Sequence, residues 1–159
     1  MASRQKLEAA SWFAVVHAYE ECRRRYSQMM KAFGLTVPQF DVMSAIARLG
    51  DAAQPKVIAD DLVVTRGNIT GVLHRLEENG LLRTRSNKED GRSFICELTA
   101  DGMALLEKAR AAGTHFIREQ LAPFDDAALR HTEEQMNAMH DHLQTIDPDR
   151  IVARIAATA

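Results

Sequence analysis

The sequence predicts a mainly α-helical chain that carries one small β-hairpin. Three observations lead there. Apolar residues recur at steps of three and four along both ends of the chain, which is the spacing of an amphipathic helix. Proline is scarce, 4 in 159 residues, and every one falls at the edge of a periodic segment. One central stretch departs from helical period: two short runs, 81–85 and 92–98, flank the polar turn 86–91, SNKEDG, as in a hairpin.

The first helix is expected over 3–33, with Leu7, Ala10, Ala14, His17, Cys22, Tyr26, Met29 and Phe33 on its periodic stripe. Gly34 ends it, as a glycine past a helix C-terminus does. A helix of about 30 residues spans about 45 Å, more than a domain of this size is wide, so it must run through the molecule or into a partner. Thr36 and Gln39 have the spacing of a capping box, and Pro38 sits in the first turn, where its missing N–H costs nothing. The second helix then buries Phe40, Val42, Met43, Ile46 and Leu49 and stops at Gly50-Asp51.

A short helix follows over 55–62, with Val57, Ile58 and Leu62 inward, and Val63-Val64 makes the turn. Thr65 is the next N-cap. In the helix 66–79, Ile69, Val72, Leu73 and Leu76 form the buried stripe. Arg66, Gly67, Asn68, Thr70, Gly71, His74 and Arg75 fill the other surface. After the hairpin, whose Cys96 is expected in the core, a helix runs from Ala100 to Leu121 and breaks at Pro123. Asp125 caps another to Ile146, Asp147-Pro148 breaks that one, and the tail from Asp149 has room for a short terminal helix.

Composition narrows the class. Hydrophobic residues are 46% of the chain, too many for a disordered polymer. No apolar run approaches the length needed to span a bilayer, so no membrane role is expected. Two separated cysteines, Cys22 and Cys96, suit reduced thiols and a cytoplasmic home. The net charge of −2 is unevenly spread: residues 1–54 hold 7 Lys/Arg against 5 Asp/Glu, 55–99 hold 7 of each, and 100–159 hold 6 against 10. Contact with a polyanion must therefore come from local placement of cations, and the acidic C-terminal third is a poor candidate for it.

Two short helices joined by a tight turn and followed by a hairpin describe a winged helix-turn-helix. Its second helix has the dimensions of a DNA major groove. Gly67 and Gly71 each cost a helix about 0.8–1 kcal/mol against alanine. Two of them on one exposed face are explained by a backbone that closely approaches the duplex. The stretch Thr65 to Gly102 also resembles the MarR (multiple antibiotic resistance regulator) family. It carries Asp90-Gly91-Arg92, then Leu98-Thr99 and Gly102, after the upstream entry Leu35-Thr36, Pro38-Gln39-Phe40. Helix order and length are similar from end to end.

That resemblance implies one domain over 1–159. Residues 36–99 are expected as the DNA-binding lobe, and 3–33 and 100–159 as helices that interlock two copies into a homodimer. It also implies a repressor that reads a palindromic double-stranded operator and leaves DNA when a small aromatic effector binds. Carried over by position, Arg92 is the wing-tip arginine of the minor groove and Asp90 its acidic brace. Arg66, Asn68, Thr70, Gly71 and His74 face the major groove. Gly91 departs from the family, which often has a further arginine there, so one cation per wing is lost. Arg75, Lys88, Lys56, Arg83 and Arg85 are phosphate candidates. Trp12, Phe13, His17 and Phe40 fall where the family's effector pocket usually lies.

Other chemistries are weaker. His140 and His142 are two apart on a helix and point about 200° apart, and His131 with Glu134 is too few ligands, so neither metal nor other cofactor is expected. Nothing has the spacing of a nucleophile and its base, and no enzyme is expected. Cys22 beside Arg23-Arg24-Arg25 has the charge setting of a reactive thiol and gives the alternative of a redox-sensing regulator of the same fold. The neutral 55–99 segment gives the other, a winged-helix adapter that binds protein.

Overall fold

A computed structural model of the chain describes residues 2–87 and 93–157, with the backbone alone for Ala2 and Arg66. The described residues divide into two units, Met1–Phe116 and Ile117–Ala159.

In the first unit, helix α1 (Ala2–Ala32) is continuous over 31 residues. It ends as its sequence requires. Gly34 takes φ +70°, the Gly34 N–H donates to Lys31 O, and the Leu35 N–H reaches back to Met30 O at 3.1 Å. This is the Schellman cap, in which a left-handed residue lets two orphan carbonyls be satisfied. Met30 and Leu35 are both fully buried beside it. Helix α2 (Val37–Leu49) opens with the expected capping box: Thr36 N–H donates to Gln39 Oε1 at 2.8 Å and Gln39 N–H to Thr36 Oγ1. A 3-10 turn over Gly50–Ala52 leads to α3 (Pro55–Asp61), and Thr65 precedes α4 (Arg66–Glu78).

The hairpin pairs β1 (Leu82–Ser86) with β2 (Phe94–Leu98) antiparallel, Arg83 opposite Glu97 and Thr84 opposite Cys96. The first strand thus lies one residue later than its sequence suggests, because Leu81 still closes the end of α4 by donating its N–H to Leu76 O. The second strand starts at Phe94. Helix α5 (Ala100–Leu121) follows. Met30, Leu35, Met43, Ile58, Leu76 and Leu106 are the large, fully buried centre of the core, so one side chain or more from each of α1, α2, α3, α4 and α5 meets there. Cys96 is completely buried in β2.

The second unit contains the end of α5, then α6 (Asp126–Leu143) and α7 (Pro148–Ala156). Asp125 caps α6 by accepting the Ala128 N–H at 2.8 Å, and Asp147 caps α7 through the N–H groups of Asp149 and Arg150. Helix α6 is shorter than the expected run to Ile146. It ends at Leu143, where the N–H groups of Thr145 and Ile146 fold back to His142 and Leu143 carbonyls and tighten the chain into a turn. No helix among the described residues is long and apolar enough to cross a membrane.

Candidate nucleic-acid interface

Helix α4 divides as its sequence dictates. Ile69, Leu73 and Leu76 are buried and Val72 is half-buried. Gly67, Asn68, Thr70, Gly71, His74 and Arg75 are exposed on the other side. A methyl group built on Gly67 or Gly71 would meet nothing within 4 Å. Packing inside the protein therefore gives no reason for either glycine. Thr65 has the extended backbone of an N-cap, but its hydroxyl makes no capping hydrogen bond. In the first turn of α4 the Asn68 and Ile69 N–H groups donate instead to Thr65 O, at 3.1 and 3.4 Å. His74 Nδ1 stands 3.1 Å from Glu78 one turn on.

The wing is braced at its base. Asn87 donates its N–H to Ser93 O and its Nδ2 to Ser93 Oγ, both at 3.1 Å. Lys88, Asp90 and Arg92 lie outside the described residues. The Cys96 N–H donates to Ala53 O at 2.8 Å, tying β2 to the segment after α2. Thr84 Oγ1 donates to Glu77 near the end of α4.

Arg83 and Arg85, two of the phosphate candidates, are engaged within the protein. Arg83 pairs with Glu97 at 3.0 Å, and Arg85 bridges Glu97 and Asp51, the latter at 2.6 Å. The hydrogen bond from Arg85, then that from Arg83, holds the Glu97 carboxyl below the usual glutamate range. Their partners lie 12 to 34 residues away in the chain, which local sequence could not reveal. Lys56 and Arg75 are exposed.

The aromatic candidates separate into two groups. Trp12 and Phe13 meet edge to face at 5.0 Å, and Phe13 lies 5.8 Å from His17. Phe40 instead packs against Tyr26 at 6.2 Å, and Tyr26 against Phe116. Tyr26 is 13 residues beyond Phe13 on α1, about 20 Å along the axis. Phe40 is thus a core-edge residue and does not share a pocket with Trp12, Phe13 and His17. An open, polar cleft adjoins His17 along α1, lined also by Glu20, Arg24 and Gln28. A pocket of about 370 Å³ opens between α2 and α4, lined by Pro38, Asp41, Val42, Leu62, Val64, Asn68, Ile69 and Val72. Burial raises the Asp41 carboxyl above its ordinary value.

Cys22 is half-buried, while Arg23, Arg24 and Arg25 turn to Glu20 and Glu21 at 2.6–2.9 Å. The cationic run is spent on carboxylates: hydrogen bonds from Arg24 and Arg25 pull Glu21 down to about 2. Among the described residues no three His, Cys, Asp or Glu side chains converge as a metal site. At the expected turn, Val63 adopts φ +54°, a left-handed backbone that its residue type does not announce. The run Leu-Val-Val-Thr contains no glycine to signal a left-handed turn.

Comparison with known proteins agrees with this architecture. Residues 33–93 match the sequence model described as MarR family. An uncharacterized HTH-type transcriptional regulator of Bacillus cereus (strain ATCC 10987 / NRS 248) is 30% identical over 128 residues, 79% of this chain and 80% of that protein. The crystal structure of AbsC, a MarR family transcriptional regulator from Streptomyces coelicolor, superposes with a TM-score of 0.77 at 15% identity, covering 88% of this chain and 96% of AbsC. Bordetella bronchiseptica BpsR, whose structure is described as a mechanism for regulation of DNA binding by 6-hydroxynicotinic acid, gives a TM-score of 0.70 at 22% identity over 81% of this chain and 91% of that one.

Proposed function

The chain belongs to the MarR family of transcriptional regulators, and on that premise we propose that it is a cytoplasmic homodimeric repressor whose α4 helices read a palindromic operator. The observation that carries the reading is the outer face of α4. Asn68, Thr70, His74 and Arg75 offer hydrogen-bonding groups there, and Gly67 and Gly71 leave the backbone bare over open space. Side-chain amides, hydroxyls and guanidinium groups are what base edges and phosphates accept. Arg66 heads the same helix. Arg92, at the wing tip by resemblance, reaches the minor groove, with Asp90 as its brace and Lys88 on phosphate.

Dimerisation is supported by apolar side chains that a single chain leaves in water. Leu7, Trp12, Phe13 and Tyr19 on α1 are exposed, as are Met136, Met139 and Leu143 on α6. Clusters of this kind mark association surfaces. A two-fold pair places two recognition helices about one turn of B-DNA apart, and joining two modules multiplies their affinity only while both fit at once. An effector that alters the separation of the lobes therefore releases DNA. The pocket between α2 and α4 suits a small aromatic of neutral or cationic character, because Asp41 on its wall opposes a carboxylate.

A mobility-shift titration on genomic fragments tests the reading. The wild type is expected to shift specific fragments, and Arg92→Ala to shift them at least tenfold more weakly, the order of a lost specific contact. Equal, weak, sequence-independent binding by both proteins refutes it.

A further inference from the structure

We propose that Val63 is a specificity-determining residue that reads the C5-methyl of a thymine in the operator half-site. The inference rests on DNA binding by α4 and extends it to the turn that precedes the helix.

The same backbone motif occurs three times in this chain. Helix α1 closes on Gly34, with Leu35 N–H bonded to Met30 O. Helix α4 closes on Gly80, with Leu81 N–H bonded to Leu76 O at 2.9 Å. Helix α3 closes on Val63, with Val63 N–H on Asp60 O and Val64 N–H on Ala59 O at 3.0 Å. All three residues at the turn are left-handed, with φ of +70°, +69° and +54°. Glycine takes that conformation freely. A β-branched residue takes it at a steric cost and is rarely found there. Residues held in this way are over-determined by their surroundings, and such positions cluster at functional sites.

Burial does not offset the cost. Val63 is 90% exposed, the most exposed large apolar residue among the described residues. Its side chain therefore gains nothing within the protomer. Its position is informative. Val63 stands two residues before Thr65, the N-cap of α4, and Ala59, Asp60, Val63, Val64, Thr65 and Asn68 line one shallow, open groove. The N-terminal end of α4 is the end that offers Gly67 and Asn68 outward. An isopropyl group held there can recognise only an apolar feature, and the major groove offers one, the methyl of thymine.

The operator is first obtained by selecting DNA bound by the wild-type protein, and each thymine in it is then replaced singly by deoxyuridine, which removes that methyl alone. At one thymine per half-site the wild type is expected to lose about fourfold in affinity, the worth of one buried methyl. Val63→Gly and Val63→Asn, which both tolerate the left-handed turn, are expected to bind the thymine operator about fourfold more weakly and to be indifferent to that replacement, while melting no lower than wild type. Identical deoxyuridine profiles for wild type and both variants would overturn the inference and leave the function standing. Failure of the wild type to select any sequence would remove both.

Discussion

A methyl group added to Gly102 would stand 2.0 Å from the carbonyl oxygen of Leu81. The first turn of α5 lies directly on the backbone that leaves α4, and Thr99 fastens the two. Its Oγ1 donates to Gly80 O at 2.8 Å and accepts the Gly102 N–H at 3.0 Å, while its own N–H donates to Leu81 O. The Leu-Thr-x-x-Gly motif thus joins the end of α4 to the first turn of α5. Gly102→Ala is expected to destabilise the protein by about 3 kcal/mol, because the obstructing atom is backbone and cannot rotate aside. Urea unfolding measures this, and a change within about 0.5 kcal/mol, as for an ordinary surface site, contradicts the account.

Val63 gives the opposite sign. Replacing it by glycine removes left-handed strain of about 1–2 kcal/mol and returns part of that as unfolded-state entropy. Val63→Gly is expected to gain about 1 kcal/mol in denaturant unfolding. A loss of stability would mean that the valine side chain is held by contacts of its own.

Gly67 and Gly71 extend the same logic along α4. Alanine at either meets open space, so each substitution should stabilise the helix by about 0.8–1 kcal/mol. If the bare backbone meets the duplex, each should also weaken operator binding by about tenfold. Thermal melting and mobility shifts on the same protein separate the two effects. Stabilisation with undiminished binding would remove the reason given for these glycines.

Burial, with a smaller contribution from Glu77, pushes the Cys96 thiol up to about 11 from an ordinary 9.0. Between those values the unfolded chain loses a proton that the folded one keeps, so stability falls as pH rises from about 9 to about 11. Below pH 9 this group leaves stability unchanged. Cys96→Ala should flatten the alkaline slope whatever its effect at neutral pH. In the native protein an alkylating reagent should modify half-buried Cys22 well before fully buried Cys96; simultaneous modification would show that the wing opens readily.

Features set by near neighbours were legible in the sequence. Thr36 and Gln39 are three apart, and their capping box formed as spaced. The buried stripe of α4 followed from i, i+3, i+4, i+7, and its exposed face followed by exclusion. Features set by distant partners were not legible. Arg83 and Arg85 read as free cations because Glu97 and Asp51 become their neighbours only when the hairpin folds onto the segment after α2. The place of the family's pocket groups Phe40 with Trp12, while the Phe40 ring packs against Tyr26, in keeping with its position on the buried stripe of α2. The contact between Gly102 and Leu81 joins residues 21 apart; in the sequence Gly102 stands as a motif residue whose packing partner cannot be read. The turn at Val63-Val64 was legible, but the left-handed backbone of Val63 was not, since it is imposed by the cap of α3 and contradicts the preference of a valine.

The proposed function requires two copies of α4 to read one duplex from the same side. Selection of bound sequences from a random DNA pool by the full-length protein tests it most directly. An inverted repeat is expected, with half-site centres about 10–10.5 base pairs apart and enrichment lost for Arg92→Ala. Enrichment of a single unrepeated site, or of no sequence at all, would contradict it.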